Sequence, residues 1–138
     1  MPNSTPPPLN QNETMRTYQL YYSFTASAND PVHIDIRQSG EIVGIDWELY
    51  TSSAPTTGDT AVVELGFNST LQSTHDAQNL ISSISCVGCL TTSGVGTVSS
   101  RKWAGPMSVP VKQTDRLYLN VFEQGSSSWV VRAIVHVR

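Results

Sequence analysis

Cys86-Val87-Gly88-Cys89 is the sharpest local motif in a chain of 138 residues whose only two cysteines are these. Redox chemistry on such a spacing needs the first thiol at a helix N-terminus, where the dipole favours thiolate. Leu90-Thr91-Thr92-Ser93-Gly94 follows and is a poor helix former. A structural zinc site needs four ligands, and the chain has no second cysteine pair, while His33, His75 and His136 are scattered. The expectation is a pair of loop thiols, free or joined in a tight local disulfide, with no metal and no cofactor.

Asp46 and Glu48 stand two apart in an alternating stretch, so both carboxylates point to one face of a strand. That placement could serve a glycosidase pair or a calcium site, and a solvated outer face explains it more simply. Asp35 and Asp115 are single carboxylates with no partner visible in sequence. Thr57-Gly58-Asp59 is too sparse in oxygen ligands for calcium. His75-Asp76 lies among serines, but no Gly-x-Ser-x-Gly elbow accompanies it. Neither a phosphate-cradling glycine loop nor a dinucleotide fingerprint occurs, so no catalytic residue is expected and the chain reads as a non-enzyme.

Arg132, His136 and Arg138 form a basic row on the last predicted strand, with Arg116 as a possible neighbour. Three or four cations are too few to hold phosphates at physiological salt, which leaves subunit salt bridges or solvation. Tyr18, Tyr21, Tyr22, Tyr50 and Trp103 read as exposed aromatics that could stack on sugar rings or fill an oligomer interface.

Composition bounds these readings. The chain has 8 Lys+Arg against 11 Asp+Glu and only 14% charged residues, so no basic field draws nucleic acid. No window approaches the roughly 20 apolar residues of a membrane helix. No basic segment followed by an apolar run opens the chain, so a secretory signal is expected to be absent or already removed. The sequons at Asn3, Asn12 and Asn68 are then read as chance matches in an Asn/Ser/Thr-rich chain.

The elements that would position these groups are strands. In Val109 to Val121 (VPVKQTDRLYLNV), alternation runs on both sides of the polar break at Thr114-Asp115, as in two half-buried strands joined by a turn. Met15–Phe24 places Tyr18, Leu20 and Tyr22 on one face, and Val32, Ile34 and Ile36 alternate after a turn at Asn29-Asp30-Pro31. Val43, Ile45, Trp47 and Leu49 form one apolar face. Ala61, Val63, Leu65 and Phe67 face inward with Glu64 outward. Leu80, Ile81 and Ile84 fall at helical spacing, which predicts a short helix or irregular insertion within 73–85. A weak strand is expected around Val95–Val98, and Trp103 in a loop lid or at a subunit contact. Trp129, Val131, Ala133, Val135 and Val137 make the clearest strand. Core anchors are Trp47, Phe67, Leu117, Leu119, Trp129, Val131 and Val135.

Residues 1–14 hold Pro2, Pro6, Pro7 and Pro8, with Leu9 as their only large aliphatic residue, and favour extended geometry. The whole is an all-β, antiparallel two-sheet sandwich, jelly-roll-like, with at most one short helix: an extended arm over 1–14 and one domain over 15–138. An immunoglobulin-like sandwich ranks second, because Cys86 and Cys89 are too close to bridge sheets.

The Pro-rich arm, Ile42-Val43-Gly44-Ile45-Asp46-Trp47 and VPVKQTDRLYLNV together resemble small jelly-roll virion proteins of tailed phages, the capsid decoration or cement proteins and related coat modules. The resemblance implies a homotrimer on the capsid surface, made in the host cytoplasm, that grips a major capsid protein or other virion subunit through its arm. Pro6, Pro7, Pro8, Leu9, Tyr21 and Trp103 are the expected interface residues, with no membrane and no nucleic acid as partner. A carbohydrate- or receptor-binding sandwich is the competing class. A shell-forming coat protein, with Arg132 and Arg138 toward a genome, is third.

Overall fold

Alternating apolar and polar side chains build the chain into two antiparallel sheets in a computed structural model that describes residues 15–51, 59–67, 80–87, 99–125 and 127–138. Nine strands occur among these residues: β1 (Arg16–Phe24), β2 (Ala28–Asp35), β3 (Gly40–Thr51), β4 (Thr60–Phe67), β5 (Leu80–Val87), β6 (Ser99–Ala104), β7 (Val109–Val111), β8 (Arg116–Gln124) and β9 (Trp129–Val137). One sheet runs β1-β9-β3-β6, with β7 also paired to β3, and the other runs β2-β8-β4-β5. This is the interleaved strand order of a jelly roll, in which most consecutive strands change sheet; β4 to β5 and β6 to β7 stay within one sheet. The described residues contain no helix.

The core fills the space between the sheets. Leu20, Ile42, Ile45, Trp47 and Leu49 from the first sheet meet Ala61, Val63, Leu65, Leu117, Leu119 and Val121 from the second. Trp129, Val131, Ala133, Val135 and Val137 are all 0% exposed. Each buried Val, Leu or Ile among them contributes about 1.5–3 kcal/mol through burial. β9 lies between β1 and β3, so the cleanest alternation in the sequence occupies the middle of a sheet. The side chain of Phe67 lies outside the described residues, as do residues 1–14, His75, Asp76 and the Val95–Val98 stretch.

Several expectations change. Val109–Val121 is not a hairpin: β7 pairs with β3 in one sheet and β8 with β2 and β4 in the other. Its polar break is a corner between sheets. The buried Asp115 carboxylate accepts from Lys112 N at 2.8 Å, and Asp115 O accepts from Ile36 N. Asn29-Asp30-Pro31 is not a turn but lies within β2, where the register shifts between Asn29 and His33. An edge strand tolerates proline because its outer side has no ladder to break. Residues 80–85 are strand rather than helix, because Ile84 and Cys86 face the core while Ser83 and Ser85 alternate with them. Trp103 lies in β6 rather than in a loop. Glu64 is buried, although its position is outward-facing. Tyr18 also faces inward, its hydroxyl accepting from Arg37 N.

Cys86 is disulfide-bonded. Its position is core-facing at the end of β5 rather than in a loop, and the chain's only other cysteine, Cys89, lies outside the described residues. A second corner is fixed by Asp59, which accepts from both the backbone N and the hydroxyl of Ser127. Gly125, at φ 126°, passes so close to the Asp59 carboxylate that a side chain there would collide with it.

Candidate functional site

The outer face of the sheet containing β9 gathers the chemistry-bearing residues, because pleating turns every second side chain of β1, β9, β3 and β6 toward solvent. Register aligns them in rows. Tyr21, Arg132, Glu48 and Arg101 lie side by side across four strands, and Gln19, Ile134, Asp46 and Trp103 form the next row. Thr17, His136 and Gly44 follow. Asp46 and Glu48 therefore do share a face, in the middle of a mixed-charge surface.

Each of these carboxylates is engaged. Glu48 meets Arg101 at 2.9 Å through one oxygen and Arg132 at 3.8 Å through the other. Asp46 meets His136 Nε2 at 3.0 Å. Elsewhere, Asp35 pairs with Arg116 across β2 and β8, and Glu41 with Arg138. The basic row thus divides. Arg132 and His136 lie on this face, Arg138 stands at the end of the sheet, and Arg116 belongs to the opposite sheet. Sequence had left Asp35 without a partner because Arg116 is 81 positions away along the chain.

Trp103, 52% exposed, is the most exposed large hydrophobic side chain among the described residues, and Tyr21, at 49%, is next. They stand at opposite edges of the face, on β6 and β1. The six-membered ring of Trp103 covers Gly44: a Cβ on that glycine would collide with Cη2, Cζ2 and Cζ3. Gly105 closes on the same ring, where a Cβ would stand 2.8 Å from Cζ2. The His136 ring meets the indole edge-on, with centroids 5.7 Å apart. At the other edge, burial and then a hydrogen bond with the Tyr21 hydroxyl raise the Tyr50 phenol above its ordinary range.

Between these edges lies an open groove of about 360 Å³ lined by Asp46, Glu48, Arg101, Trp103, Arg132 and Ile134, among others. Sequence reasoning identified Asp46 and Glu48 as a pair on one face, Arg132 in a basic row and Trp103 alone. It missed the groove, because Arg101 and Arg132 join it only through the strand order β9-β3-β6. Among the described residues, no group of three His, Cys, Asp or Glu side chains could hold a metal ion. No helix among them is long and apolar enough to cross a membrane.

No protein-family model and no curated protein matches the sequence. Among solved structures, the chain is similar to a CocE/NonD family hydrolase from Staphylococcus aureus, with a TM-score of 0.55 and 8% identity. The match covers 88% of this chain and 33% of the hydrolase, so this chain spans about a third of that protein's length. It is also similar to Eiger TNF from S. frugiperda (TM-score 0.49, 12% identity, covering 87% of this chain and 85% of that one). A chain of the acid-stable capsid of Helicobacter pylori bacteriophage KHP30 aligns with a TM-score of 0.44 at 11% identity, covering 88% and 86%. At these identities the likeness is one of fold, from which neither activity nor partner follows.

Proposed function

We propose that this chain is a structural virion protein, a capsid decoration or cement protein that stabilises a shell through contacts of its sandwich and N-terminal arm. The observation that carries this reading is the placement of β1 at the edge of its sheet, while β9 is locked in the middle. Residues 1–14 lead directly into an edge strand, from which an extended segment can pass to a neighbouring subunit without unravelling the sheet. A Pro-rich arm loses little conformational freedom when it docks, because its backbone is already restricted.

Pro6, Pro7, Pro8 and Leu9 would make the arm contact, and Tyr21, exposed on the same edge strand, would extend it. The partners are further copies of this chain, as a homotrimer, and a major capsid protein at the virion surface. The reading is non-catalytic, and the polar pairs of the sheet surfaces support it: Asp46 hydrogen-bonds His136, while Glu48, Asp35 and Glu41 each pair with an arginine. A shell-forming coat role would turn Arg132 and Arg138 toward a genome. Their engagement with Glu48 and Glu41 weighs against that role.

Removing residues 1–14 tests the proposal. The shortened chain is expected to keep its far-UV circular dichroism and melting temperature and to lose self-association in sedimentation velocity. Undiminished association would rule out the arm as the gripping element.

A further inference from the structure

Trp103 is set differently from Tyr21, and its setting goes beyond subunit adhesion. An exposed indole normally has several rotamers to lose on binding. Here Gly44 and Gly105 receive the ring on one side, and the His136 ring abuts its edge. The ring is thus seated against backbone and flanked by an imidazole, while the residue as a whole is left half exposed. Beside it lie Asp46 and, one row along, Glu48, Arg101 and Arg132.

On the outer face of this groove two carboxylates, Asp46 and Glu48, stand against two guanidiniums, Arg101 and Arg132, and Lys102 leaves the lining with one positive charge in excess. The Lys102 ammonium is turned away toward β5, where it donates to Ser83 O. A polyanion would meet Asp46 and Glu48, and a cation would meet Arg101 and Arg132. A hydroxyl-rich neutral ligand suits both, because each hydroxyl can donate to a carboxylate and accept from a guanidinium. A pyranose ring adds an apolar C–H face that stacks on an indole. The groove volume falls near the small end of ligand sites, about 300–1,000 Å³, and its openness suits an extended glycan rather than an enclosed metabolite.

We infer that this face binds a neutral glycan, with one pyranose ring stacked on Trp103 and its hydroxyls held by Asp46, Glu48, Arg101 and Arg132. The inference does not depend on the virion role, and its test reads sugar contact rather than assembly.

The experiment is saturation-transfer NMR on the full chain with the methyl glycosides of glucose, galactose, mannose and N-acetylglucosamine, and with sialyllactose as an acidic comparator. At least one neutral glycoside should receive saturation at its ring protons. Trp103→Ala should weaken binding about two- to tenfold, the loss of one stacking contact, and Trp103→Tyr should restore part of it. Glu48→Gln should also weaken the signal, and it serves as the variant of record if Trp103→Ala does not fold by circular dichroism. Absence of transfer from every neutral glycoside, a signal unchanged in these variants, or a preference for sialyllactose would overturn the inference.

Discussion

The indole N–H of Trp47, in β3, donates to the hydroxyl of Ser82, in β5, at 3.0 Å. The two strands belong to different sheets, so this is a polar tie across the sandwich. Trp47 is otherwise core, 2% exposed. Trp47→Ala should lower unfolding free energy by about 3–5 kcal/mol, the usual loss for an emptied aromatic site. Ser82→Ala removes only the acceptor and should cost about 1–3 kcal/mol, because the indole N–H is then buried unmatched. Urea denaturation of both variants checks the pair.

Gly44 makes room for Trp103, an aromatic cover over a strand glycine. Gly44→Val should expel the ring. The expected outcome is a loss of about 1–3 kcal/mol from overpacking and a red shift of tryptophan emission as the indole becomes hydrated. An unshifted spectrum with unchanged stability would mean that the ring does not rest there.

Acid should weaken the fold through two surface carboxyls. The Arg116 hydrogen bond, and then its charge, hold Asp35 below the ordinary carboxylate range, while hydrogen bonds from Ser108 and Arg138 do the same for Glu41. A depressed folded pKa gives stabilisation that is complete above the unfolded value, about 4, and is lost as pH falls from there through the folded value. Asp35 is exposed and Glu41 half-buried at the surface, so the effect is modest and shrinks in high salt. Asp35→Asn and Glu41→Gln should each flatten the acid limb of a plot of melting temperature against pH.

Glu123 carries the opposite sign. Burial raises its carboxyl and the charge of Asp59 adds to this, while the nearby Trp129 indole, outside hydrogen-bond geometry, offsets part of it. Its contribution is complete below the unfolded pKa and is lost as pH rises through the raised folded one. Glu123→Gln should therefore raise the melting temperature at neutral pH and change it little below about pH 4. A lower melting temperature at neutral pH would contradict this assignment.

Much of the sandwich was legible because half-buried strands repeat every two residues. The alternation of Trp129 through Val137 and of Tyr18 through Phe24 reads directly as an inward face. β6 was not legible, since its inward positions opposite Leu49 and Trp47 are Ser100 and Lys102. An edge strand with a polar inner side gives no apolar period. β5 misled for a different reason: Leu80, Ile81 and Ile84 fit a helical face, and only the serines between them mark the pleat. The corner at Asp115 could not be told from a hairpin, because a polar turn between alternating segments looks the same whichever partners the strands later find. The groove beside Trp103 depends on that long-range pairing throughout.

Proposed as an assembling surface protein, this sandwich should associate through residues 1–14. The native mass of the full chain, measured over a range of concentrations, tests this most directly. A trimer that dissociates when residues 1–14 are removed is expected; a monomer at every concentration would contradict the proposed assembly.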